Sequence, residues 1–315
     1  MSGKNVTEVV LADAAGIARA ARVLSEGGLV AVPTETVYGL AARADSEAGV
    51  ARIYEAKGRP SFNPLIVHVR DRDHAMEYAE WGEAADWAAC THWPGPLTLV
   101  LPRREGATLA DAVTAGLPTI AVRAPAHSAM RRLLKSVDFP IAAPSANRSG
   151  FISPTRAEHV LASLDGRVDL VLDGATSKHG LESSIYAVRS DGSYEELRPG
   201  AIDLGAERTP ASRKDAGQAI EAPGQLASHY SPGKPVRLDA KKAHEDEFFI
   251  GFGPVTGDCT LSEGGELNEA AARLYDCLHQ GAASPKPRIA VARVPDQGVG
   301  RAINDRLGRA ATPPD

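Results

Sequence analysis

An α/β fold, built on an open twisted mixed sheet with flanking helices and followed by a small C-terminal α/β domain of Rossmann-like type, is what this sequence predicts. Three observations lead there. Short apolar runs alternate with stretches whose apolar residues recur at helical spacing. Proline and glycine mark the joins, and several short strand-like runs suit antiparallel as well as parallel pairing. From about Gly205 to Pro235 no apolar period survives, which is the signature of a linker. The expected organisation is a first domain over residues 1–204, a linker over 205–235 and a small domain over 236–315.

Asp13 is placed to cap a helix in which Ile17, Ala20, Ala21 and Leu24 share a face, and Gly27-Gly28 suits a left-handed stop. Leu29 to Val32 then reads as a buried strand. Pro33 cannot continue a central ladder, so Thr34 to Leu40 is expected as a loop that turns two hydroxyls, a carboxylate and a phenol toward a cleft. Ser46 to Ala56 reads as a second helix, with Val50, Ile53 and Tyr54 on one face, that delivers Lys57 and Arg59 at its end. A helix-rich segment with Trp81 and Trp87 follows, then a rigid turn at Trp93-Pro94-Gly95-Pro96. Thr98 to Leu101, Thr119 to Val122 and Pro140 to Ala143 read as strands, the last running into the small polar loop Pro144 to Gly150. Thr155 and Glu158 form a capping-box pair ahead of Val160, Leu161 and Leu164. Strands at Leu170 to Leu172, Ile185 to Val188 and Tyr194 to Leu197 complete the first domain. In the second, Phe248 to Phe252 and Ile289 to Val294 read as strands, and Leu267 to Leu278 and Arg301 to Ala310 as helices.

A formal charge of -5 argues against non-specific nucleic-acid binding as the main activity. The N-terminal residues lack a basic segment leading into a long apolar run, so neither a secretory signal nor a membrane anchor is expected, and the setting is expected to be cytoplasmic. Cys90, Cys259 and Cys277 are few and far apart, which argues against a disulfide framework. Cys90 and His92 have no second ligand pair at zinc spacing.

Against that acidic background, Lys57 to Arg70 contains no acidic residue. Lys57 and Arg59 suit either a solvated helix end, where the dipole favours cations, or an anion site in which a mobile ammonium and a planar guanidinium share a polyphosphate. The Ser145-Ala146-Asn147 loop offers neutral donors and acceptors that complement such a site. Glu182-Ser183-Ser184-Ile185 with Arg198 reads on its own as an ordinary hairpin. Gly251 to Gly257 superficially matches a dinucleotide-binding turn, but its spacing is wrong and Pro254 delays the next helix. No serine elbow, kinase-type phosphate loop or paired metal-binding histidine motif is present.

Five separated segments, PTETVYGL from Pro33, AKGRPSFNPLIVH from Ala56, WPGPLTLVL from Trp93, APSANRSG from Ala143 and LRPGA from Leu197, resemble in order the YrdC-like threonylcarbamoyl-AMP synthases. The linker sequence APGQLASHYSPG from Ala222 and the tail resemble the longer, two-domain branch. The resemblance implies a YrdC-like catalytic fold. It implies an enzyme that joins L-threonine, bicarbonate and ATP into threonylcarbamoyl-AMP and releases pyrophosphate, for transfer by partner proteins to the adenosine next to the anticodon of tRNA. It implies Lys57, Arg59, Ser145 and Asn147 as the catalytic tetrad, with Asn63, Thr119, Ser153, Arg198 and Tyr230 also around ATP. Thr36, His68, Arg123 and Ser184 are implied around threonine, Arg123 on its carboxylate. Mg2+ is expected with ATP, without a dedicated protein cage, and no organic cofactor; contact with tRNA would be weak. Two other readings share parts of this pattern, a carbamoyl-adenylate-forming carbamoyltransferase domain and a non-catalytic RNA-binding module.

Overall fold

The structure, a computed structural model, describes residues 6–205, 220–226 and 228–312. Of the expected linker, 206–219 and 227 therefore lie outside the described residues. The first domain runs β1 (Glu8–Leu11), α1 (Ala14–Ser25), β2 (Val30–Val32), β3 (Gly39–Arg43), α2 (Glu47–Lys57), β4 (Ile66–His68), α3 (Arg72–Ala75), α4 (Glu83–His92), β5 (Leu97–Pro102), α5 (Asp111–Thr114) and β6 (Thr119–Arg123). It continues α6 (Ser128–Lys135), β7 (Ile141–Ala142), α7 (Ala157–Leu164), β8 (Leu170–Asp173), β9 (Ser184–Val188) and β10 (Tyr194–Arg198). The second domain contains β11 (Val236–Arg237), β12 (Glu247–Gly251), β13 (Cys259–Thr260), α8 (Leu267–Ala283), β14 (Arg288–Val291) and α9 (Gly300–Ala311).

The first ten strands form one mixed sheet in the order β1-β8-β2-β3-β7-β4-β6-β5-β9-β10. The mixed α/β class expected from the sequence is the one observed. The remaining four strands form a second sheet, β11-β14-β12-β13, in which the described pairings are parallel. Parallel pairing needs helical crossovers, and α8 supplies the apolar face that covers this sheet through Leu274, Tyr275 and Leu278.

Alternation along the strands explains where a site can form. In β2, Ala31 points into a core with α2 and α7, while Val30 and Val32 pack under Ile17, Leu24, Met130 and Leu133 of α1 and α6. Helices therefore cover both faces there. In the β4-β6-β5-β9 half, Val67, Val122, Leu99 and Tyr186 join the first core, whereas Ile66, Ala121, Val100 and Ile185 form a small separate cluster with Leu197 and Ala222. Ala222 of the linker packs on that second face, and no helix residue joins the cluster.

Several local expectations change. Gly39 and Leu40 belong to β3, which pairs antiparallel with β2, because Val32 and Gly39 face each other across the loop. Tyr38 is fully buried and its hydroxyl donates to Ala175 O at 2.8 Å, away from any cleft. The capping box at Thr155 and Glu158 does not form: α7 starts at Ala157 behind Arg156, and Thr155 Oγ1 instead contacts His159 Nδ1 at 3.4 Å. Cys259 and Cys277 are disulfide-bonded, with Cα atoms 6.0 Å apart, because α8 packs beside β13; Cys90 is free and exposed. Sparse spacing argued against such a bond, but proximity is set by the packing of α8.

Gly180 marks where the domains meet. Its φ of +69° is in the left-handed region, and a Cβ there would stand 2.5 Å from Cα of Ala272 in α8. Gly180→Ala should therefore part the two surfaces and lower the thermal midpoint by several degrees relative to an alanine at Gly106, where a Cβ would meet nothing within 4 Å. Equal midpoints for the two variants would refute this close approach.

Candidate active site

The uncovered sheet face and the loops around it enclose a cavity of about 50 Å3. Its walls are Thr34, Thr36, Val37 and Gly39 from the β2-β3 turn, Arg59, Ile66, His68 and Arg123, and Ala143, Pro144 and Ser145 after β7. Glu182, Ser183 and Arg198 close one side, and Pro223, Gly224, His229 and Tyr230 of the linker lie across it. The linker residues lie over the polar wall of this space.

Helix α2 ends where Gly58, at φ 58°, adopts a left-handed cap. The turn sends Lys57 inward, where Nζ donates to the carbonyls of Ser145 and Asn147, both at 2.5 Å. Arg59 is held by Asn63 and Pro64: Nη2 donates to Asn63 Oδ1 at 2.7 Å and Pro64 O at 2.8 Å, and Nε to Asn63 O at 3.1 Å. Lys57 is 2% exposed and Arg59 9%, and among the described residues neither has an ion pair with a carboxylate. Burial, reinforced by Arg59, pushes the Lys57 ammonium well below its usual range, and burial lowers Arg59 to about 10. An anion between them would reverse both effects.

The other end of β4 and β6 carries a different set. His68 pairs in register with Arg123, and Arg123 donates from Nη2 to Glu35 Oε1 at 2.5 Å, from Nη1 to Thr36 Oγ1 at 2.9 Å and from Nε to Gly95 O at 3.2 Å. Burial works against the charged Glu35, yet Arg123 outweighs it and holds the carboxyl at about 2. His68 is lowered to about 3 by burial and by Arg123, so it is neutral at pH 7, with Nδ1 buried and unpartnered. Asn63 Nδ2, Asn147 Oδ1 and His229 Nδ1 are likewise buried without partners. Orphaned polar atoms gathered around one cavity are what a polar ligand would satisfy.

Of the thirteen residues expected at the site, Thr36, Arg59, His68, Ser145, Arg123, Arg198 and Tyr230 line the cavity. Lys57 and Asn147 stand just behind Ser145, and Asn147 Nδ2 is tied to the carbonyls of Arg148 and Phe151. Asn63 anchors Arg59. Ser153 Oγ donates to Glu182 at 2.6 Å, outside the lining. Ser184 is turned away, its hydroxyl bonded to Ile202 O at 2.8 Å, and its strand neighbour Ser183 faces the cavity in its place, as alternation requires. Thr119 opens β6 two residues before Ala121, which pairs with Ile66, and is not on the wall. The sequence turned the Thr34 hydroxyl toward a cleft and placed Glu182 in a hairpin without assigning either a site role, passed over His229, and missed two residues of the second domain, Tyr275 and Arg306, whose hydrogen bonds reach Glu182. The signal for Arg306 was present: it stands in the apolar stripe of α9 with Ile303, Leu307 and Ala310.

A cavity lined by Arg59, Arg123 and Arg198, with residues of the interdomain linker across it, defines a two-domain α/β protein with a composite, cation-rich site. Residues 22–200 match a family model described as "Telomere recombination", which covers the Sua5, YciO and YrdC proteins, and residues 193–312 match one described as the C-terminal domain of threonylcarbamoyl-AMP synthase. The chain is 37% identical to the threonylcarbamoyl-AMP synthase of Bacillus subtilis over 98% of its own length and 96% of that protein's. It is also 37% identical to the enzyme of the same name from Pyrococcus abyssi, over 93% of each. A crystal structure of P. abyssi Sua5 complexed with L-threonine matches with a TM-score of 0.87 and 34% identity, covering 97% of both chains. The chain belongs to the two-domain threonylcarbamoyl-AMP synthase family.

The Glu35 and Arg123 pair gives a pH-dependent prediction. Because the folded pKa of Glu35, about 2, lies below its ordinary 4.5, the pair's stabilisation is complete above about pH 5 and fades as pH falls toward 2. The shift corresponds to about 3 kcal/mol. Glu35→Gln should unfold more easily than the native chain at pH 7 in urea, and the gap should narrow between about pH 5 and pH 3. A gap that stays constant over that range would remove the ion pair from the account.

Proposed function

We propose that this chain is an L-threonylcarbamoyladenylate synthase acting in the cytoplasm, taking ATP, L-threonine and bicarbonate. The amine of threonine and bicarbonate give a carbamate with loss of water. A carbamate oxygen then attacks the α-phosphorus of ATP, the bond to the β,γ-diphosphate breaks, and pyrophosphate leaves. The product passes to proteins that transfer the threonylcarbamoyl group to the adenosine beside the anticodon of tRNA. The single observation that carries this reading is the pair of buried cations, Lys57 and Arg59, without a carboxylate partner among the described residues: Arg59 lines a cavity that Arg123 also lines, and Lys57 stands behind its Ser145 wall.

Such chemistry asks for orientation and charge neutralisation and no protein nucleophile. Lys57 and Arg59 offset charge that grows on the departing pyrophosphate, and Ser145 and Asn147 hold Lys57 in place through their carbonyls. Arg123 takes the threonine carboxylate, with Glu35 fixing its plane and Thr36 and neutral His68 placed for the hydroxyl or amine. Arg198, tied by Nη1 to Pro223 O at 3.3 Å, and Tyr230 bring the linker over ATP, so that a lid shields the adenylate from water. Mg2+ would enter on the phosphates of ATP, whose charge it offsets.

Pyrophosphate release should require ATP, threonine and bicarbonate together. Release that ignores threonine or bicarbonate would overturn the reading, and dependence on carbamoyl phosphate would favour carbamoyl transfer. Lys57→Ala and Arg59→Ala should each cost about 10²-fold or more in rate while the circular dichroism spectrum stays native. Normal turnover in either would remove its assigned role.

A further inference from the structure

Two helices of the C-terminal domain reach the cavity through a single carboxylate. Glu182 is part of the cavity wall and is 7% exposed. It accepts from Ser153 Oγ at 2.6 Å, from the Tyr275 hydroxyl at 2.9 and 2.8 Å, and from Arg306 Nε at 3.1 Å. Ser153 belongs to the first domain, Tyr275 to α8 and Arg306 to α9. The same two helices clamp the linker. The Tyr230 ring lies 5.7 Å from that of Tyr275, and the Arg306 guanidinium carbon stands 5.6 Å from its centroid. Tyr230 is held there with its backbone at φ 63°, in the left-handed region that a tyrosine rarely adopts.

These contacts are more than generic interface adhesion. Arg306 is fully buried within an otherwise apolar helix face, and its Nη2 has no partner among the described residues. An arginine is costly in that position unless it holds a charge or a ring in place. Tyr275 makes both of its hydrogen bonds to the one carboxylate that Ser153 also uses. A cross-domain ion pair with no such geometry exists for comparison: Arg301 Nη2 meets Glu196 Oε2 at 2.6 Å, and neither residue lines the cavity.

We propose that Tyr275 and Arg306 are positioning residues of the C-terminal domain, which fix Glu182, Ser153 and Tyr230 and thereby shape the nucleotide end of the cavity. The second domain is then a working wall of the site. The identity of the nucleotide as ATP rests on the synthase reading. The threonine end, at His68 and Arg123, is anchored by Glu35, Thr36 and Gly95 and receives none of these contacts.

The test is pyrophosphate-release kinetics with ATP and threonine varied separately, on Tyr275→Phe, Arg306→Met, Arg306→Lys and the control Arg301→Gln. Tyr275→Phe should raise KM for ATP about tenfold and leave KM for threonine within about twofold, since only one end of the cavity loses its support. Arg306→Lys should recover part of what Arg306→Met loses, and Arg301→Gln should leave both KM values at wild type. Tyr275→Phe keeps the shape of its side chain, so it decides the matter if Arg306→Met does not fold. An unchanged KM for ATP in Tyr275→Phe overturns the inference, as does an equal change in both KM values or an equal effect of Arg301→Gln. Calorimetric titration with ATP alone separates this from the synthase reading. If wild type binds ATP but makes no adenylate, weaker binding by Tyr275→Phe still supports positioning and equal binding refutes it; no ATP binding by wild type defeats both.

Discussion

Two cations buried side by side are the constraint to which the rest of this structure answers. Taking an ammonium and a guanidinium out of water is expensive, and among the described residues no carboxylate pairs with either. Carbonyl dipoles do part of that work: those of Ser145 and Asn147 for Lys57, and those of Asn63 and Pro64 for Arg59. The shapes of the loops after α2 and β7 follow from supplying those carbonyls. On the proposed function, the remaining deficit is what a bound phosphate would offset.

The sheet sets the scale of the site and its polarity. β4 and β6 run parallel, with Arg59 bonded to Pro64 just before β4 and the His68 and Arg123 pair at its other end. One pair of strands thus separates a cationic end suited to phosphate from an end where Arg123 is already half engaged by Glu35. That engagement has two consequences. It keeps Arg123 planar and aimed, and it leaves a substrate carboxylate to share a guanidinium with a resident one, which favours a small, precisely placed ligand over a loosely held anion. The apolar cluster on this face takes in Ala222 of the linker and no helix residue, and Pro223, Gly224, His229 and Tyr230 lie across the cavity beside it.

Much of this was legible in the sequence, for identifiable reasons. Ser46 and Gly58 punctuate α2 strongly, so the delivery of Lys57 and Arg59 could be read from capping chemistry alone. The small polar run at Ser145 to Asn147 likewise marked a ligand-facing loop. What escaped depended on distant packing. β11 and β13 have two residues each and exist only through their neighbours. The choice of Ser183 over Ser184 turns on strand register, which adjacent identical residues cannot reveal. Glu182 looked like a hairpin residue because its partners, Tyr275 and Arg306, lie more than ninety positions away. The bond between Cys259 and Cys277 needed the position of α8. Motif reading named seven residues of the cavity wall and passed over the Tyr275 and Arg306 side chains that hold Glu182.

The central claim is that Lys57 and Arg59 are buried unpaired to receive polyphosphate. It is tested most directly by the thermal midpoint with and without saturating ATP, in the native chain and in Lys57→Met, whose side chain fills similar space without charge. The native midpoint should rise by several degrees with ATP, and the variant should fold but lose most of that rise. An ATP-induced rise as large in Lys57→Met as in the native chain would contradict the account.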